Sequence, residues 1–140
     1  MELEAAVQRD VNSVSAWLAL GVKQQENERE QKAVQALRRA IELDPSHLPA
    51  WLALAVSFTN DNDRLGTYGA IHEWVNRNDK YKDFVVQFRN QNPDKPTASI
   101  QERYAYLTQC LIAMTRSDGG DEIDADIQVA LAVLLNANEV

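Results

Sequence analysis

Cysteine is nearly missing: Cys110 stands alone in 140 residues. One thiol excludes an internal disulfide and suits a reducing compartment. Basic charge is also short. Fourteen Lys and Arg face twenty-one Asp and Glu, a net charge of −7, which argues against general nucleic-acid or anionic-membrane binding. No apolar run approaches the roughly 20 residues of a membrane span. Met1-Glu2-Leu3-Glu4 lacks the basic start and apolar core of a secretory signal. Only two histidines occur, His47 and His72. They lie far apart with no convergent Cys or Asp, and His72-Glu73 lacks the second histidine of a zinc-protease helix, so no metal site is expected. Asp118, Asp121, Glu122, Asp124 and Asp126 miss the ligand order and central glycine of a calcium loop and read as a solvated linker. No nucleophile–base pair and no glycine-rich phosphate loop is present, so catalytic residues and cofactors are not expected.

What is present repeats. Trp17-Leu18-Ala19-Leu20-Gly21 is answered 34 residues later by Trp51-Leu52-Ala53-Leu54-Ala55. A 34-residue period carrying W-x-x-L-G/A is the signature of the tetratricopeptide helix-turn-helix repeat. The expected fold class is therefore all-α, a segment of a helical solenoid that binds partners along a concave face.

With Val14 as position 1, residues 14–47 form a complete repeat. Gly21, Ala33 and Ala40 hold positions 8, 20 and 27, where small residues let the two helices approach. Leu20 and Leu37 fill the space between them, and Pro45 ends the second helix. Residues 48–79 form a second repeat with an atypical second helix: Trp74 occupies position 27, usually a small slot, and altered packing is expected there. Residues 1–11 read as the second helix of a cut repeat, with Leu3 and Ala6 at positions 24 and 27. Over 80–124 the period fails. Tyr81 to Asn90 reads as a short helix, Asn92-Pro93-Asp94-Lys95-Pro96 as a loop, and Ile100 to Thr115 as a helix with Tyr104, Leu107, Leu111 and Met114 at helical spacing. Cys110 lies on its apolar face and reads as a buried small hydrophobe. Residues 125–140 again read as a first helix, with Leu131, Leu134 and Leu135 forming an apolar face. Both ends cut through repeats, so the chain is expected to be part of a longer array, and that last face to drive self-association or to borrow a neighbour's surface.

The inner face of such a solenoid takes positions 2, 5, 9, 12 and 13 of each first helix. These are Ser15, Leu18, Val22, Gln25 and Glu26, then Pro49, Leu52, Val56, Thr59 and Asn60. An asparagine amide can donate to a peptide carbonyl and accept from a peptide N–H at once, so Asn60 suits backbone reading. The competing role is a helix cap or the start of the Asp61-Asn62-Asp63 turn. Val56 is either apolar wall for a peptide or inter-repeat packing. Glu26 and Glu28 either attract a basic ligand residue or form a solvated face. Asn136, at position 12 of the last helix, is a further candidate.

Several runs are more specific than the generic motif: Gln25-Glu26-Asn27-Glu28, Ala36-Leu37-Arg38-Arg39-Ala40-Ile41-Glu42-Leu43, Ala53-Leu54-Ala55-Val56-Ser57-Phe58-Thr59-Asn60 and Asp126 to Asn136. In these runs the chain resembles the peroxisomal matrix-protein import receptor family, over the N-terminal half of its tetratricopeptide region. The resemblance implies a non-enzymatic receptor that captures C-terminal Ser-Lys-Leu type signals of peroxisomal cargo. It implies Thr59 and Asn60 as peptide contacts, and an irregular fourth repeat between Asn76 and Ala98. It further implies a receptor cycling between cytoplasm and peroxisomal membrane, with docking proteins engaged outside this chain. Two alternatives compete. A co-chaperone repeat domain would need Lys or Arg at inner positions 5 and 9, which here hold Leu18, Val22, Leu52 and Val56. A structural scaffold in a larger assembly would need no peptide site.

Overall fold

A computed structural model describes residues 3–5, 13–93, 95, 98–117 and 124–138. The helix expected over 1–11 is helical at residues 3–5, and its remainder lies outside the described residues, as does most of the acidic linker. Seven further α-helices follow: α1 Val14–Glu26, α2 Glu30–Leu43, α3 Leu48–Asn60, α4 Arg64–Asn76, α5 Lys82–Gln91, α6 Ile100–Ser117 and α7 Ala125–Asn138. A 3-10 turn, Asp79–Tyr81, precedes α5. No strand occurs among the described residues.

The boundaries follow local chemistry. Ser13 caps α1, its hydroxyl accepting from the Ala16 N–H at 3.2 Å, and Asp63 caps α4 through the Gly66 N–H at 2.9 Å. Pro49 sits in the first turn of α3, where its missing N–H costs nothing. The α1–α2 and α3–α4 turns use the left-handed region at the same step of the period, Glu28 with φ 60° and Asn62 with φ 58°. Asparagine tolerates that conformation; glutamate is strained in it.

The small positions do what their spacing asks. Ala33, Ala40 and Leu37 are fully buried. A Cβ at Gly21 would lie 2.6 Å from Leu37 Cγ and Cδ2, so α1 and α2 are too close at that level for any side chain. Pairs α1–α2 and α3–α4 stack through α2 against α3, and Gln25 ties them, its amide donating to Ala53 O at 2.9 Å and to Ser57 Oγ at 2.7 Å.

Beyond α4 the order changes. The helix that packs next on α3 and α4 is α7, not α5. At one end Arg64 Nη2 donates to Asn138 Oδ1 at 2.9 Å. At the other the Tyr81 hydroxyl donates to Asp124 Oδ2 at 2.6 Å. These two ties orient α7 parallel to α3, in the place of the next first helix. α6 packs against α7, with the Tyr104 hydroxyl donating to Arg64 O at 2.6 Å. One core unites Ile71, Trp74, Tyr81, Val85, Tyr104, Leu111, Met114, Ile127 and Leu134.

Two expectations change. The face of α7 is covered within the chain: Leu134 is fully buried and Leu131 half-buried, and Leu135 alone of the three stays exposed. Asp124 is not solvated linker but an anchor for α7. Burial alone would raise its pKa, yet the Tyr81 hydroxyl, the Asp126 N–H and Lys80 outweigh that and hold the carboxyl below its ordinary value. Burial, then the bond to Asp124, pushes Tyr81 up to about 12. The raised phenol contributes stability that is whole below about pH 10, the value for free tyrosine, and is lost as pH rises toward about 12. Tyr81→Phe is expected to remove that alkaline loss, read as a flatter urea midpoint between pH 9.5 and pH 11.5. An unchanged slope would show that another group titrates there.

Candidate functional site

The five sequence candidates divide between α1, α3 and α7. The C-terminal ends of these helices share one edge: Gln25 of α1 reaches Ser57 of α3, and Ala137 of α7 closes against Thr59 and Thr67. Glu26, Thr59, Asn60 and Asn136 therefore lie on neighbouring helix ends, with Val56 one turn inward on α3.

Their availability differs. Thr59 is the least free. Its hydroxyl donates to Ala55 O at 2.9 Å and shares a 2.9 Å bond with Thr67 Oγ1, which in turn donates to Asp63 O. It helps close the α3–α4–α7 junction and is half-buried there. Asn60 is exposed and is not the cap; Asp61 is, donating its N–H to Ser57 O. The Asn60 amide donates to Glu30 Oε1 at 3.1 Å, and its carbonyl oxygen engages no described group. That leaves one amide hydrogen and one acceptor facing outward, the pair that a peptide backbone needs. Asn136 is exposed on α7. Val56 is half-buried. Glu26 is exposed and paired with Lys23 at 3.6 Å, a surface contact of small energy that a ligand cation can replace. Glu28 lies exposed in the turn. Gln25, also at an inner position, is consumed by the bridge between repeats.

Residues missed at the sequence level are Glu30 and Arg64. Glu30 lies in the first turn of α2 and holds Asn60 in place. Arg64 joins α4 to both α6 and α7, its guanidinium 5.3 Å from the Tyr104 ring centre. Nothing in their local sequence marks them, because their partners lie 30 and 74 residues away. Cys110 is buried as expected, and burial raises its thiol. The described residues hold no cluster of three or more metal-ligating side chains and no helix long and apolar enough to cross a membrane.

Paired antiparallel helices on a 34-residue period, with small residues at the crossing points, define a tetratricopeptide-type solenoid segment. No protein-family model matches the chain. Individual proteins do. It is 38% identical over 140 residues to a peroxisomal targeting signal receptor of Yarrowia lipolytica. It is 36% identical over 142 residues to the receptor of that name from Candida albicans, and 35% over 138 residues to a PEX5-related protein of Rattus norvegicus. These alignments cover 96–99% of this chain. Over nearly its whole length the chain is homologous to proteins named peroxisomal targeting signal receptor or PEX5-related protein. It spans 23% of the length of these relatives.

Proposed function

We propose that this chain forms part of the peptide-binding module of a peroxisomal import receptor, one that takes C-terminal Ser-Lys-Leu type targeting signals. The observation that carries the reading is similarity across nearly the whole chain to proteins named as such receptors. In this reading residues 14–47 and 48–79 are two whole repeats, and the first helices supply the contacts. Asn60, with Asn136 on the parallel α7, reads the extended peptide's backbone. Val56 gives apolar wall. Glu26 exchanges Lys23 for the lysine of the signal. Thr59 positions rather than contacts, because its hydroxyl is committed inside the junction. The role is binding, without catalysis. The receptor works between cytoplasm and peroxisomal membrane, with docking proteins held by other segments of the whole receptor. The exposed side of α7, Val129 and Leu135, is where self-association would occur.

Fluorescence polarisation with a labelled peptide ending in Ser-Lys-Leu tests this. It should be run on the chain and on the receptor array that contains it, against the same peptide with an amidated C-terminus. The array is expected to bind the free acid and not the amide. Asn60→Ala in the array is expected to weaken binding about tenfold, or about 1.4 kcal/mol. An array that does not distinguish acid from amide would sink the reading.

A further inference from the structure

The two complete helix pairs carry the same surface groove at the same repeat positions. In the α1–α2 pair it is lined by Trp17, Leu20, Gln24, Lys32, Gln35 and Ala36. In the α3–α4 pair the corresponding residues, each 34 further on, are Trp51, Leu54, Phe58, Gly66, Gly69 and Ala70. Tryptophan, leucine and alanine are kept. Gln24, Lys32 and Gln35 become Phe58, Gly66 and Gly69, and at the rim Arg39 becomes Glu73. A groove roofed by long polar side chains becomes an apolar one with bare helix along one wall. Its volume is about 460 Å³, room for one or two bulky side chains.

Packing explains part of this. A Cβ on Gly66 would lie 2.7 Å from Phe58 Cγ, so Phe58 and Gly66 are a matched pair. Gly69 is different. A Cβ there would meet nothing within 4 Å, its helix gains nothing from it, and glycine inside a helix is unfavourable. An unforced helical glycine beside an open apolar groove fits close approach by something not in the chain.

The charged rim indicates the partner's chemistry. Glu42 is paired with Arg39 at 3.0 Å, and Glu73 with Arg77 at 2.9 Å. Arg77 also lies over Trp51, 5.7 Å from its ring centre. His72 stacks on Tyr68. Arg38 is exposed, lies over Phe58 at 5.7 Å, and makes no ion pair among the described residues. The rim's acids are satisfied, and Arg38 is the cation left over.

We infer that the groove between α2 and α4 is a second docking site, for a partner segment that inserts a bulky apolar side chain beside a carboxylate. It is separate from the proposed signal site. On α3 the groove residues Trp51, Leu54 and Phe58 recur along one side of the helix, and Val56 and Asn60 fall on the other.

The probe is a fluorescent, C-terminally amidated, alanine-based peptide with one tryptophan flanked by aspartates. The amide removes any claim on the signal site. Binding is expected to shift the backbone amides of Gly66 and Gly69 in a nitrogen–proton correlation spectrum. Gly69→Gln restores the residue of the preceding repeat. It is expected to keep the thermal midpoint at or above that of the parent and to weaken the peptide at least tenfold. Arg38→Glu is expected to weaken it similarly and to favour a lysine-flanked version. Asn60→Ala is expected to leave it unchanged. No shift at Gly66 and Gly69 up to millimolar peptide would overturn the inference. So would undiminished binding by Gly69→Gln, or concentration-dependent self-association of the chain that Gly69→Gln abolishes.

Discussion

Trp74→Ala is expected to destabilise the chain by about 3–5 kcal/mol, the range for removing a large aromatic from a core that cannot collapse around the space. Trp74 is 1% exposed and lies in the core shared by α3 to α7. That core holds α7 against the α3–α4 pair, so the loss should reach α7 before it reaches α1 and α2, since each repeat leans only on its neighbours. Amide hydrogen exchange is expected to show α7 opening first, and the urea midpoint followed by circular dichroism gives the total. Trp74→Phe separates volume from polarity. The indole Nε1 is buried with no hydrogen-bond partner, and leaving a buried donor unpaired costs about 1–3 kcal/mol. Phenylalanine loses volume but removes that orphan donor, so its net cost should be under half that of alanine. Equal costs for the two variants would show that the indole N–H has a partner.

Position 27 of the second repeat is where the sequence could announce a departure but not its form. The period marks Trp74 as too large for a slot that holds Ala40 one repeat earlier. What fills the enlarged space is decided by residues 30 to 60 positions away, Tyr104, Met114 and Leu134 among them, and a periodic reading cannot see across an interruption that long. The same holds for α7. Its own pattern reads as a first helix, but nothing in that pattern names α3 and α4 as the helices it packs on. Asp124 illustrates the cost of reading by composition. Within a run of acids it looks solvated, and only the fold brings Tyr81 and Lys80 to it. Thr59 illustrates a limit of position. The period assigns it a position but not its hydroxyl's partners: a threonine hydroxyl can reach its own i−4 carbonyl, and here it does. The α2–α4 groove is the opposite case. Its signal lay in the sequence, at positions 11, 19 and 22 of the two repeats, and needed a comparison of the positions that differ rather than those that match.

Gly21 and Leu37 are expected to show a coupling that reverses the sign of one substitution. Leu37 is fully buried, and Leu37→Ala should cost about 2–5 kcal/mol. Gly21→Ala alone gains about 1 kcal/mol of helix propensity. Its new Cβ, however, would lie 2.6 Å from Leu37 Cγ and Cδ2, so the fully buried Leu37 would have to shift against its neighbours. Overpacking of that kind costs about 1–3 kcal/mol, so the single variant should lose about 1 kcal/mol net by the same estimates. In the Leu37→Ala background the clash is gone. The nearest remaining atom is Ala33 O at 3.4 Å, an ordinary contact. Gly21→Ala there should keep its propensity gain and fill part of the cavity, stabilising by about 1 kcal/mol. The cycle would then give an interaction energy of about 2 kcal/mol, well outside the few tenths expected of independent sites. Four urea denaturation curves measure it. Additive effects would mean that α1 and α2 can separate at Gly21 at little cost, and that glycine at position 8 of this repeat is not required by the closeness of the two helices.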